Sequence, residues 1–266
     1  MCYRFVEYSI PIGTFDPVID CTYVLLMENS PRERTIMKTI QEAHLTKLVR
    51  VQYNKGFRKC TKTLPDQKTN FDIIHALQNV FKNALTHGYK RIVVLEDDCI
   101  FDERIHDPVI VNDLTTFLRD RDPDVYNLGT WMYLTLPWAP FTQKHHRMLV
   151  GLLAHAMVYN KKYMETTIHA MHLSPDIEPM FHFHAFTYYK PLAYQLLPET
   201  ENSREGYYSI PCVSKFIRSV FRMDTMYQPG FDRMHKISQG VSIFIFIFIL
   251  IVIVTRLHMK NQPSLL

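Results

Sequence analysis

The distribution of apolar and polar positions divides the chain into short buried strands, amphipathic helices and one late segment with no polar face. Tyr23, Val24, Leu25, Leu26 and Met27 form a continuous apolar run of buried-strand type. Ser30-Pro31-Arg32-Glu33 follows, with Ser30 as a helix cap, Pro31 at the first helical position and Glu33 three residues after the cap. Ile36, Met37, Ile40 and Ala43 then recur at helical spacing. Residues 48–53 read as a second strand, and the polar residues 54–68 as a loop. The clearest helix carries Ile73, Ile74, Leu77, Val80, Phe81 and Ala84 on one stripe, capped by Thr69 or Asn70 and ended by His87-Gly88. Residues 91–95 (RIVVL) form a fully buried strand that runs directly into Glu96-Asp97-Asp98. A helix over 108–119 leads to another strand-like run at 125–129. Such alternation predicts an α/β fold with a mostly parallel, three-layer sheet, which binds ligands at the carboxyl ends of its strands.

Residues 241–254 read VSIFIFIFILIVIV, with Ser242 the only polar member. As a helix this run is about 21 Å long, short of a hydrocarbon core of ~30 Å. Extension from Ile237 to Leu257, with Arg256 snorkelling, supplies the missing length. A buried strand is the alternative, because Ile, Phe and Val favour strands. The absence of any polar face favours a single-pass C-terminal transmembrane helix over 236–258, after a globular domain at 1–235 and before a short tail at 259–266. Arg222, Arg233 and Lys236 precede the segment, and Arg256 and Lys260 follow it. That small excess predicts a tail-anchored protein with its domain in the cytosol.

Composition narrows the classes. A chain of 266 residues with 47% apolar content builds one large domain or two small ones around a sizeable core. The net charge of +4, with Lys and Arg scattered, speaks against a nucleic-acid partner. The five cysteines are odd in number and lack CxxC spacing, which speaks against a disulfide framework and a structural zinc site and predicts reduced thiols. The N-terminus lacks a signal-peptide apolar stretch, and the chain has no Asn-x-Ser/Thr sequon, in keeping with a cytosolic domain.

Three adjacent carboxylates at the end of an apolar strand repel one another and are costly to desolvate. A divalent cation offsets both effects. Glu96 and Asp98 fall on the same side of an extended chain, so both can face one metal. Mn²⁺ or Mg²⁺ accepts one or two carboxylates together with substrate phosphates and neutralises charge on a leaving nucleotide. The plain alternative is a solvated acidic loop.

Residues 69–101, TNFDIIHALQNVFKNALTHGYKRIVVLEDDCIF, resemble the helix-strand-LEDD region of glycosyltransferase family 25, which includes lipopolysaccharide and collagen galactosyltransferases. TYVLLMENSPRER at 22–34 resembles that family's opening strand and basic turn, and DVYNLG at 124–129 its Asp-x-x-x-Leu-Gly strand. GLLAHAMVY at 151–159 resembles its Gly-Thr-His-Ala-Tyr strand with His155 in the His place, although Leu152 and Leu153 replace the usual Thr. Ser174-Pro175-Asp176 resembles its Pro-Ile-Asp turn, and KPLAYQ at 190–195 its late strand ending in Gln. The resemblance covers roughly residues 22–205. It implies a GT-A-like nucleotide-diphospho-sugar transferase fold. It also implies metal-assisted, inverting transfer of a hexose, galactose or glucose, from a UDP-sugar to a glycan or protein hydroxyl.

Candidate roles follow. Asp98 is the leading metal ligand, Glu96 a second ligand or a ribose contact, and Asp97 an orienting group. Arg34 is set to pair with donor phosphate or to be a routine surface residue; Asn29 contacts the nucleotide or turns the chain. An inverting transfer needs a base for the acceptor hydroxyl. Asp176 matches the family's later acidic position, with Glu178 its local competitor. His182 and His184 alternate with Phe181 and Phe183, and His184 is a third metal ligand if the pair is not structural. Trp131, Tyr133 and Trp138 stack on a sugar or pack in the core. Two other classes compete. One is a degenerate, membrane-tethered protein that binds a nucleotide sugar or a partner without turnover. The other is a phosphohydrolase, whose Asp-x-Asp followed by Thr or Val is not matched by Glu96-Asp97-Asp98-Cys99.

Overall fold

The computed structural model describes residues 1–169, 184–196, 219 and 229–260. The strands are β1 (Tyr3–Ser9), β2 (Cys21–Met27), β3 (Leu48–Asn54), β4 (Arg91–Glu96), β5 (Cys99–Phe101), β6 (Val125–Asn127), β7 (Tyr133–Thr135), β8 (His145–Gly151), β9 (Ala156–Asn160), β10 (Ala185–Tyr188) and β11 (Ala193–Gln195). The helices are α1 (Glu33–Ala43), α2 (Thr69–Thr86), α3 (Pro108–Arg121), α4 (Ala139–Thr142), α5 (Lys161–Thr167) and α6 (Pro229–Lys260). Nine strands form one sheet in the order β1-β3-β2-β4-β9-β6-β10-β8-β7, and β5 pairs with β11 in a small second sheet.

The sheet is mixed, which corrects the expectation of a mostly parallel one. β3, β2 and β4 are parallel, as are β6 and β10. β1 adds antiparallel to β3, and β9 lies antiparallel between β4 and β6. Apolar runs report burial on both faces and do not encode strand direction, so the pattern had no means of finding this.

The three layers are visible in β4 itself. Val93 and Leu95 join a core with Ile36 and Ile40 of α1 and Leu114 and Leu118 of α3. Ile92 and Val94 join the opposite core with Ile74, Leu77 and Phe81 of α2 and Tyr163 of α5. Alternate residues therefore serve alternate faces. Gly129 sits where a Cβ would lie 2.0 Å from the Ala193 carbonyl oxygen, so only glycine permits that close approach.

A disulfide joins Cys2 to Cys60 with their Cα atoms 5.6 Å apart, which corrects the expectation of reduced thiols at those positions. The pairing of Tyr3 with Asn54 brings the start of β1 to the loop after β3, a proximity that cysteine spacing alone does not reveal. The same loop is pinned from inside. Lys62 is buried and donates to Asn54 Oδ1 at 2.5 Å and to Asp72. Cys21 and Cys99 are free and buried.

Helix α6 contains a span, Phe231–Leu257, of 27 residues whose most apolar 18-residue stretch has mean hydropathy 2.8, long and apolar enough to cross a membrane. The helix begins at Pro229, so the expected boundary at 235/236 falls inside one continuous element. Its early turns are docked: Phe231, Met234, His235, Ser238 and Ser242 are buried against the domain. Ser238 Oγ accepts from the Tyr133 N–H at 3.2 Å and Ser242 Oγ from the Thr135 N–H at 3.1 Å. Those amides belong to the edge strand β7, whose outer hydrogen-bonding groups would otherwise lack a neighbour.

Candidate active site

The crossover after β2 places β3 on one side of it, and the crossover after β3 places β4 on the other. β2 and β4 thus flank a topological switch point, where a crevice opens at their carboxyl ends. Two sequence segments meet there: Asn29-Ser30-Pro31-Arg32 after β2 and Asp97-Asp98 after β4. Ser30 Oγ donates to Asp97 Oδ2 at 3.1 Å. Arg32 bridges both acids, 3.0 Å from Asp97 Oδ1 and 3.7 Å from Asp98 Oδ2. From the β11 side, Gln195 Nε2 donates to Asp98 Oδ2 at 3.1 Å.

Local geometry explains the arrangement. Asn29 adopts a left-handed conformation with φ 63° and is exposed, so it turns the chain out of β2. Ser30 Oγ accepts from the Arg32 N–H at 3.2 Å, stabilising a turn ahead of α1. The helix therefore starts at Glu33, two residues later than the cap reading placed it, and Arg32 is left at the crevice. Arg34, in the first turn of α1, is exposed. The guanidinium that meets the acidic run is that of Arg32, which the sequence reading passed over. Its signal was present as a second basic residue in the turn directly after β2.

The chain also turns at Asp97 and Asp98 instead of continuing extended. The alternation that put Glu96 and Asp98 on one side fails for that reason, and Asp97 and Asp98 converge instead. Glu96 ends β4 and lines a niche with Leu25, Ile73, Leu77 and Ala154 on the α2 side.

Asp98 is 5% exposed. Burial drives its carboxyl up to about 6, aided by the Asp97 charge and opposed by the Gln195 hydrogen bond and Arg32. Burial likewise raises Asp97, against Arg32 and the Ser30 hydroxyl. Among the described residues Asp98 Oδ1 has no hydrogen-bond partner. A buried carboxylate oxygen left unpaired at the carboxyl end of a switch-point strand is a place for a ligand.

His155 is fully buried in the loop before β9, and its carbonyl accepts from the Glu96 N–H at 2.9 Å. Its ring stands edge-on to Phe231 of α6 at 6.0 Å. Burial lowers its pKa to about 4, partly offset by the Ala193 carbonyl, so the imidazole is neutral near pH 7. Its backbone thus ties the loop before β9 to the end of β4, while its ring packs against α6. Beside it, Leu153 holds a left-handed φ of 75°, with its carbonyl accepting from Asn127 Nδ2 at 2.7 Å. Strain of that kind gathers at functional sites.

His184 does not join the acids. It precedes β10 at the level of Val125, with its N–H donating to Asp124 Oδ2 at 3.0 Å. Val125 is level with Tyr159, and Tyr159 with Ile92 near the start of β4. The length of β4, about 20 Å, therefore separates His184 from Asp98, and its reading as a shared metal ligand is corrected. Asp176, Glu178 and His182 lie outside the described residues. No group of three or more His, Cys, Asp or Glu side chains is arranged to hold a metal among the described residues. Tyr133 is buried, Trp131 packs with Tyr194 and Phe231, and Trp138 is exposed away from the crevice.

No protein-family model matches the chain, and no curated protein matches it. Among solved structures it is similar to A197 from STIV, with 9% identity, a TM-score of 0.43, and 66% of this chain and 86% of that one covered. It is also similar to a glycosyltransferase involved in glycosylation of the major capsid of PBCV-1, with 10% identity and a TM-score of 0.37. That likeness covers 67% of this chain and 96% of the other. Both are too remote to assign a family or an activity.

Proposed function

We propose that the chain is a membrane-tethered glycosyltransferase that moves a hexose from a UDP-sugar to a hydroxyl acceptor, with Asp97 and Asp98 at its centre. The observation that carries this reading is the carboxylate pair at the β2/β4 switch point, Asp97 partly buried and Asp98 buried with an unpaired inner oxygen. The donor set suits Mn²⁺ or Mg²⁺, which takes one or two carboxylates and completes its shell with phosphate and water oxygens. Asp98 and Asp97 would hold the ion, which supplies charge neutralisation at the departing diphosphate. Arg32, already positioned on both acids, is the cation for the donor's phosphates in place of Arg34. Asn29 and Glu96 border the crevice as nucleotide contacts, and Asp176 is the acceptor base with Glu178 its competitor.

The tether is α6, and we assign the domain to the oxidising side of its membrane. A Cys2–Cys60 bond persists where thiols are not kept reduced. That outweighs the single extra positive charge that pointed to the cytosol.

UDP release from a panel of UDP-sugars with Mn²⁺, using full-length chain in detergent, tests the assignment. Asp98→Asn is expected to lower turnover by at least ~100-fold, the scale of losing a charge-stabilising group. Turnover of the variant at the wild-type rate would sink the reading. Donor binding without turnover in wild type would shift it to the degenerate, binding-only class.

A further inference from the structure

β7 and the early part of α6 run side by side in the same direction, since Tyr133 meets Ser238 and Thr135 meets Ser242. The chain beyond Thr135 therefore continues toward the apolar end of the helix before β8 brings it back. This connection reads Leu136-Pro137-Trp138-Ala139-Pro140-Phe141. Trp138 is 50% exposed and Phe141 76%. The Trp138 ring stands edge-on to Phe246 of α6, with centroids 6.5 Å apart. From residue 244 to 257 the helix is exposed throughout, so the tip and the helix form one continuous apolar surface.

The backbone of the tip is suited to leaving water. Pro137 and Pro140 have no N–H to desolvate. The N–H of Ala139 donates to Leu136 O at 3.0 Å, that of Phe141 to Trp138 O at 3.1 Å and that of Gln143 to Ala139 O at 3.0 Å. Pairing these amides inside the turn lowers the cost of entering a lipid phase.

We propose that the β7–β8 tip is a second membrane contact, in which Trp138 and Phe141 lie at the headgroup–acyl boundary beside α6. The proposal rests on the membrane-anchor reading of α6. Its occupant is the bilayer itself, because the tip touches the stretch of helix that would be in lipid, about 6 Å past the last docked serine. Tryptophan favours that boundary, with its apolar ring in lipid and its indole N–H in reach of headgroups. Two attachment points fix the rotation of the domain about the helix axis, and with it the direction in which the acidic crevice opens.

The chain has two tryptophans, so full-length Trp131→Phe leaves Trp138 as the sole source of tryptophan emission under red-edge excitation that spares tyrosine. In phosphatidylcholine vesicles brominated near the headgroup end of the acyl chains, its emission is expected to be roughly halved and shielded from iodide. Emission quenched by iodide and untouched by brominated lipid overturns the proposal. The difference between wild type and Trp138→Phe gives the same reading should Trp131→Phe fail to fold. A carbonate wash of the same vesicles separates the two failures. A chain that resists the wash with an iodide-accessible Trp138 overturns the second contact alone; a chain that is stripped overturns the anchor and the contact with it.

Discussion

Asp98 illustrates how a functional position is held at the expense of stability. Its carboxyl titrates near 6 in the fold against 3.8 unfolded, because burial disfavours the charge. The folded state therefore binds the proton more tightly, and stability falls as pH rises through the window between those values, with the full penalty above about 6. Asn at this position keeps an acceptor for Gln195 and carries no charge. Asp98→Asn is expected to stabilise the metal-free chain at pH 7.5 by on the order of 2 kcal/mol. The gain should vanish below the window, as thermal melts across pH will report. Mn²⁺ with donor should then raise the melting temperature of wild type and not of the variant, since ligands stabilise only the state that binds them. A variant no more stable than wild type at pH 7.5 would mean that the carboxylate is better compensated than its burial implies.

At the scale of elements, the junction of α6 with β7 departs most from a simple domain-plus-anchor plan. Hydroxyls four residues apart on the helix meet amides two residues apart on the strand because one helical turn and two strand residues span comparable lengths. Gln239 reinforces the contact through Tyr133 Oη at 3.0 Å and the Tyr189 carbonyl at 3.1 Å. Removing both hydroxyls strands two buried amides. Ser238→Ala with Ser242→Ala is expected to cost about 2 kcal/mol and to speed hydrogen exchange selectively at Tyr133 and Thr135. Unchanged exchange there would show that the helix packs without capping the edge.

For the molecule as a whole, the Cys2–Cys60 link closes β1 and the β3–α2 loop into one unit, across a sequence separation of 58. Cys2→Ser is expected to destabilise the chain by about 2–4 kcal/mol, read as a lower melting temperature that reductant reproduces in wild type. The same bond bears on topology. In sealed vesicles from expressing cells, the domain should resist added protease while a C-terminal tag is removed, and a domain digested from the cytosolic side would reverse the orientation. The anchor, the docked serines and the aromatic tip together make orientation at the bilayer a property of the fold rather than of a flexible linker.

The apolar pattern was sufficient to locate β2, α2, β4 and α3 and the uniform segment of α6, because burial of a face is written in residue spacing. It also marked Asp97-Asp98 as the place where charge meets the end of a buried strand. Strand direction, the antiparallel insertion of β9 and the pairing of Cys2 with Cys60 were not written there. Each depends on residues far apart in the chain being brought together. The same limit explains the site. Arg32 and Gln195 reach Asp98 from positions 66 residues before and 97 residues after it, and His184 is carried to the opposite end of the parallel strands. Local sequence determined which residue types stood at a strand end; only the tertiary fold decided which of them share a crevice, because proximity across the sheet is set by topology and not by spacing.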